Sequence, residues 1–186
     1  MKLILASGSP RRKELLEKLQ IPFEVIVSAC DETLDAEIPA EQAAEMLAVR
    51  KAAAVAAEHP EAVVIGADTT VILGGEILGK PKDEAECKRM LNMLSGKVHR
   101  VITGTAVFQN GRSFSFSEET LVQFYPLTEE DIDRYAASGE PYDKAGAYGI
   151  QGLGALLVRG IQGDYYNVVG LPVARLRHEL KRLGLI

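Results

Sequence analysis

Leu3-Ile4-Leu5-Ala6-Ser7-Gly8-Ser9-Pro10-Arg11-Arg12 is the stretch on which the fold class turns. Leu3-Ile4-Leu5-Ala6 reads as a short buried strand, and Ser9 followed by Pro10 reads as an N-cap with proline at the first helical position. Arg11 and Arg12 then lie at the positive end of the helix dipole, where each cation is disfavoured by roughly 0.3–1 kcal/mol. The free N–H groups of the same turn favour an anion. The pair is therefore either a solvated first turn or a place where something negative docks.

Outward from this turn, Lys13 to Leu19 places Leu15, Leu16 and Leu19 at helical spacing, and Phe23 to Val27 alternates as a strand does. A βαβ unit thus opens the chain. Ser28 to Ile38 is an acidic loop with Asp31, Glu32, Asp35 and Glu37, and the alanine-rich run Ala40 to Glu58 is a helix closed by His59-Pro60. Val63 to Ile65 is a strand leading into Gly66-Ala67-Asp68. Val71 to Leu73 and Glu76 to Leu78 flank the hairpin signal Gly74-Gly75. Asp83 to Leu94 reads as a helix, and Val98 to Gln109 pairs with Ser113 to Phe124 across Asn110-Gly111. Thr128 opens a capping box with Asp131 on a helix to about Ala137, as the Ser/Thr N-cap pattern requires. A Gly- and Tyr-rich segment, Tyr142 to Gly154, precedes a strand at Ala155 to Arg159, and a basic helix runs from Pro172 to Leu183. The pattern predicts an α/β or α+β fold around a mixed sheet.

The 186 residues are 47% hydrophobic, enough to bury a sizeable core and to exclude a disordered chain. A net charge of −5 argues against a nucleic-acid coat, which needs a basic surface to release counterions, so any anion site is local. Cys30 and Cys87 show no metal-like spacing, which favours a reducing, cytoplasmic compartment over a disulfide scaffold. Charges at Arg11 to Glu14 interrupt any signal-like apolar run, and no stretch approaches eighteen apolar residues, so no membrane association is expected. Without repeats or a linker, one domain over residues 1–186 is expected, with the hairpin-like middle a candidate lobe.

Two motifs are decoys. Gly74-Gly75-Glu76-Ile77-Leu78-Gly79-Lys80 matches the front of a Walker A loop, but Pro81 stands where the magnesium-binding hydroxyl belongs and Gly74-Gly75 reads as a hairpin turn. Gly152-Leu153-Gly154 lacks the third glycine of a dinucleotide fingerprint and leads into a strand. The stronger signal is dispersed: cations Arg11, Arg12, Lys51, Lys80 and Lys144, with acids Glu32 and Asp68. Asp68 reads as a strand-end residue, where open α/β sheets place their sites. A carboxylate there can hold a hard divalent metal or accept a proton from attacking water, and polyphosphate chemistry needs cations around the oxygens. Each residue also has a plainer reading. Asp68-Thr69-Thr70 can form a strand-end Asx turn, Lys51 can lie on a helix surface, and Gln151 and Asn167 can satisfy backbone groups in glycine-rich loops. His59, His99 and His178 are scattered and read as surface or structural.

Ala6-Ser7-Gly8-Ser9-Pro10-Arg11-Arg12, Gly66-Ala67-Asp68-Thr69, Leu78-Gly79-Lys80-Pro81, Asp143-Lys144-Ala145-Gly146-Ala147-Tyr148-Gly149-Ile150-Gln151-Gly152 and Asn167-Val168-Val169-Gly170-Leu171-Pro172 together resemble the Maf family, in that family's order and over essentially the whole chain. The resemblance implies an inosine-triphosphatase-like fold with a nucleotide-binding cleft between two lobes. It also implies hydrolysis of a nucleoside triphosphate between its α- and β-phosphates, giving nucleoside monophosphate and pyrophosphate with a divalent metal, Mg2+ or Mn2+. Asp68 matches the family's catalytic aspartate, as proton acceptor or metal ligand. Arg11, Thr69 and Gln151 match the positions tied to substrate choice, and Asp68-Thr69 looks like the branch acting on dTTP and UTP.

A uracil or thymine edge offers acceptor, donor and acceptor in turn, which the Gln151 amide and a Thr69 hydroxyl can complement. Leaving such groups unpaired penalises the wrong base. On this reading Ser7, Ser9, Arg12, Lys51, Lys80, Lys144 and Asn167 contact the nucleotide and its phosphates, and Glu32 joins Asp68 at the metal. A homodimer is expected from the resemblance alone. One departure is Met46, where family members often carry arginine before the leucine of Met46-Leu47-Ala48-Val49-Arg50-Lys51-Ala52. Two rival classes remain at this point. One is a regulatory nucleotide-binding protein that influences septum formation or cell division. The other is a kinase, which Pro81 disfavours.

Overall fold

A computed structural model describes residues 2–34 and 37–186, so Asp35 of the expected acidic loop lies outside the described residues. The chain is a mixed α/β protein. Among the described residues a seven-stranded sheet is hydrogen-bonded in the order β2-β1-β3-β5-β6-β7, with β4 attached to β3. Its strands are β1 Leu3–Leu5, β2 Glu24–Val25, β3 Val63–Leu73, β4 Glu76–Leu78, β5 Val98–Gln109, β6 Arg112–Phe124 and β7 Val158–Gln162. The helices are α1 Pro10–Glu17, α2 Ala40–Glu58, α3 Glu84–Leu94, α4 Glu129–Ala136, α5 Tyr165–Val169 and α6 Val173–Arg182. No described helix is long and apolar enough to cross a membrane.

Two compact units emerge. The first comprises Met1–Thr69, Thr103–Glu118 and Gly170–Ile186, and the second Thr70–Ile102 and Glu119–Val169. Strands β3, β5 and β6 run from one into the other.

In the first unit β1 lies parallel to both β2 and β3, pairing Ile4 with Glu24 and Leu3 with Val63. Its core gathers Ile4, Ala6, Ala48, Ala52, Val55, Ala62, Val64 and Ala106. The many alanines reflect how closely α2 lies on the sheet. A Cβ on Gly66 would sit 2.5 Å from the Ala48 carbonyl oxygen, and one on Gly104 would overlap the backbone of Ala44 and Glu45. Glycine in a strand here marks direct backbone approach. Helix α2 has no side-chain N-cap bond, so alanine propensity and its buried face sustain it. At the β5–β6 turn Asn110 and Gly111 adopt φ of 49° and 74°, the left-handed pair that a two-residue hairpin needs.

In the second unit the Gly74-Gly75 turn joins β3 to antiparallel β4, which confirms that the Walker-like glycines form a hairpin. Asp83 caps α3 through the Glu86 N–H at 2.8 Å, and Thr128 and Asp131 form a reciprocal capping box on α4. The core is rich in aromatic residues. Phe124, Tyr148 and His99 meet edge to face, with His99 Nε2 2.7 Å from the Tyr148 hydroxyl.

Three elements differ from the sequence expectation. Strand β3 continues without a break through Asp68-Thr69-Thr70, so these residues are mid-strand, not at a strand end. The segment Gly152–Leu156 is a 3-10 turn, which delays β7 to Val158, where it pairs antiparallel with β6. Helix α5, Tyr165–Val169, falls in a stretch with weak helix formers.

Candidate active site

The first unit holds two groups of polar side chains on neighbouring positions of β3. Ser9 has extended backbone, accepts the Arg12 N–H at 3.5 Å and donates its own N–H to Ser7 Oγ at 3.3 Å. No acidic residue occupies this first turn. Arg12 turns back across it and spreads its guanidinium over three acceptors: the Gly170 carbonyl at 2.8 Å, Ser7 Oγ at 3.2 Å and Thr69 Oγ1 at 3.1 Å. Thr69 Oγ1 also shares a hydrogen bond of 2.8 Å with Thr103 Oγ1. Burial pulls the Arg12 pKa down from its ordinary value, and the negative charge of Asp68 opposes this. The question posed by two arginines at a helix N-terminus is thus answered for Arg12 by protein acceptors, which compensate its unfavourable place on the dipole. Arg11 is half-buried on the same turn.

Asp68 and Thr69 point to opposite faces of β3, as alternation requires. Gly66 and Asp68 share the face toward α2. Because Gly66 admits α2 so closely, Lys51 reaches Asp68 Oδ1 at 2.6 Å, and the pair is mostly buried, at 12% and 13% side-chain exposure. The same ammonium lies 3.0 Å from Glu32 Oε2, which is largely exposed. The Glu32 loop is held by Arg50, which donates to the Thr33 carbonyl at 2.7 Å, and by Asp31, which accepts the Thr33 N–H at 2.8 Å. Met46, in the place of the family's arginine, receives a 3.5 Å contact from Arg50 on its sulfur. Two carboxylates therefore converge on one ammonium. Their hard oxygens suit Mg2+ or Mn2+ alongside phosphate oxygens, although among the described residues no three His, Cys, Asp or Glu side chains form a complete metal cage.

The remaining sequence candidates lie in the second unit. Lys80 is exposed in the segment after β4, where the Gly79 carbonyl accepts the Gly146 N–H at 3.0 Å. Lys144 donates to the Glu140 carbonyl at 2.6 Å and to Asp143 at 2.7 Å. Gln151 is exposed, and its side chain caps nothing. Asn167 is wholly buried and donates to the Val101 carbonyl at 3.0 Å and to Thr120 Oγ1 at 2.9 Å, a bracing role within the unit. Sequence reasoning missed Thr103, one of two threonines, with Thr105, in an apolar strand segment that carries no local signal. It also missed Glu140 and Tyr135, described below.

A family profile described as Maf-like protein matches residues 2–183. A protein of Bacillus cytotoxicus named dTTP/UTP pyrophosphatase is 58% identical over 181 residues, covering 97% of this chain and 95% of the relative. One of Bacillus cereus with the same name is 54% identical over 184 residues, covering 99% and 96%. Among solved structures, the Staphylococcus aureus Ham1 protein aligns at a TM-score of 0.49 and 16% identity, over 68% of this chain and 73% of that one.

Proposed function

The chain belongs to the Maf family, and from that premise we propose that it is a nucleoside triphosphate pyrophosphatase acting on dTTP and UTP. The observation that carries this reading is the Lys51–Asp68 pair, with Glu32 on the same ammonium and Thr69 next along the strand. Asp68 accepts the proton of a water whose oxygen attacks the α-phosphorus. The bond from that phosphorus to the bridging oxygen breaks, and pyrophosphate leaves with the oxygen. Lys51 fixes the Asp68 carboxylate and adds positive charge near the phosphates. Glu32 and Asp68 would hold the divalent cation, which when bound supplies charge neutralisation at the phosphate oxygens.

Ser7 and Ser9 order the first turn of α1. Three of the five guanidinium N–H groups of Arg12 are engaged by protein acceptors, which leaves two for an anion. Lys80 and Lys144 remain assigned to phosphate on the strength of the resemblance, as Arg11, Thr69 and Gln151 are to base choice. Asn167 leaves that set because its amide is committed inside the second unit. A homodimer in the cytoplasm belongs to the same reading: the homodimer rests on the resemblance alone, and the free thiols Cys30 and Cys87 fit a reducing compartment. The regulatory and kinase alternatives find no support in the names of the relatives.

The experiment is a product assay with Mg2+ or Mn2+ and a panel of common and modified nucleotides, resolving monophosphate plus pyrophosphate from diphosphate plus phosphate. Pyrophosphate from dTTP and UTP, lost in Asp68→Asn and on chelation with EDTA, is the expected result. Nucleoside diphosphate as product, or binding without turnover, would overturn it.

A further inference from the structure

We propose that Glu140 is a positioning residue for base selection: with Tyr135 it latches residues 149–154 into a closed turn that presents Gln151 at its apex. The inference rests on the reading of Gln151 as a residue that contacts the base.

Glu140 opens the 3-10 turn Glu140–Asp143, and its carboxylate accepts from both sides. Oε2 takes the Leu153 N–H at 2.9 Å. Oε1 takes the Gly154 N–H at 3.0 Å and the Tyr135 hydroxyl, also at 3.0 Å. The Tyr135 oxygen in turn accepts the Gly149 N–H at 3.1 Å. One carboxylate and one phenol thus bind both ends of the segment that contains Gln151. Burial pushes the Tyr135 phenol well above its ordinary pKa, which keeps it a donor toward Glu140.

The backbone is shaped to this latch. A Cβ on Gly152, whose φ is +61°, would lie 2.6 Å from Glu140 Oε2, and one on Gly154 would overlap the Gly149 carbonyl. The two ends of the turn therefore touch, and the side without Cβ atoms faces the carboxylate. The Lys144 stem closes over the start of the segment: a Cβ on Gly149 would lie 2.7 Å from Lys144 Cε, while Lys144 Nζ holds the Glu140 carbonyl at 2.6 Å. Gln151 stays exposed, without a capping role, between ends that are fixed.

This arrangement reduces the conformational freedom that an amide must lose when it reads a base edge. A glutamine at position 140 would keep the shape but turn an NH2 donor toward backbone donors, because only one of its two terminal atoms accepts. The turn would then loosen without loss of volume.

The test is steady-state kinetics with dTTP, UTP and CTP on Glu140→Gln, Glu140→Asp, Tyr135→Phe and, in parallel, Gln151→Ala. In Glu140→Gln the expected result is a KM for UTP raised about tenfold, kcat within about twofold, and a UTP-to-CTP ratio of kcat/KM lowered about fivefold or more. Tyr135→Phe, which keeps the packing, moves the ratio in the same direction and decides the matter if Glu140→Gln does not fold. Glu140→Asp restores part of the ratio. An unchanged ratio in both latch variants, with Gln151→Ala lowering it, overturns the latch and leaves the role of Gln151 standing. An unchanged ratio in Gln151→Ala removes the base-contact reading itself, and the latch proposal with it.

Discussion

Replacing Thr69 by valine keeps the shape of the side chain and deletes one oxygen, an oxygen that two groups use. Arg12 donates to it and Thr103 shares a hydrogen bond with it. Thr69→Val therefore costs about 1–3 kcal/mol of stability, because a half-buried guanidinium loses an acceptor, and lowers kcat/KM for dTTP at the same time. Chemical denaturation and kinetics on one preparation check both arms. Wild-type stability in the variant would mean that the Arg12 fan does not need this acceptor. His99 gives a pH prediction. Burial holds its pKa down at about 4, against an ordinary 6.5, and its Nδ1 has no partner among the described residues. The folded protein keeps the ring neutral while the unfolded chain takes up a proton below its ordinary pKa. The contribution of this group is therefore complete above about pH 6.5 and declines by up to about 3 kcal/mol as the pH falls toward 4. Urea midpoints at pH 7.5, 5.5 and 4.5 should show a smaller loss in His99→Gln, and an equal loss in both proteins would assign the acid sensitivity elsewhere.

At the scale of elements, helix α2 ties stability to chemistry. Its seat on β3 depends on Gly66, and the same seat brings Lys51 to Asp68. Gly66→Ala would force the helix outward, costing about 1–3 kcal/mol by overpacking, and would lengthen the ion pair. Activity should fall more steeply than thermal stability alone accounts for. Full activity in a folded Gly66→Ala protein would show that Lys51 reaches its partner without this approach. The bounds of α2 were legible because alanine composition and His59-Pro60 act locally, and the β5–β6 hairpin because Asn110-Gly111 sets its own turn. Strand β3 was read as broken because Asp68-Thr69-Thr70 interrupts an apolar run. It continues because residues distant in sequence supply polar partners, Lys51 to Asp68 and Arg12 and Thr103 to Thr69, while the buried Thr70 hydroxyl has no partner among the described residues. For the same reason the site was legible in its residue types but not in its pairings. Arg12 was expected to wait for an anion, and nothing near it in sequence announces Gly170 or Thr69 as its acceptors.

For the whole molecule, three strands, β3, β5 and β6, run through both units. Unfolding is expected to be a single cooperative transition. The chain has no tryptophan and six tyrosines, all of them between Tyr125 and Tyr166 and hence in the second unit. Near-ultraviolet tyrosine signals thus report that unit alone, while far-ultraviolet ellipticity reports both. Superimposable melting curves from the two probes are the expected result, and a separation between them would show that the units unfold independently.

The Arg12 fan joins residues at the start of the chain to the Gly170 carbonyl near its end. During synthesis every segment of the second unit has been made once Val169 is added, whereas the first still lacks Gly170–Ile186. A growing chain therefore carries Arg12 for most of its synthesis without the Gly170 carbonyl that accepts from it, whereas Lys51 and Asp68 are made close together.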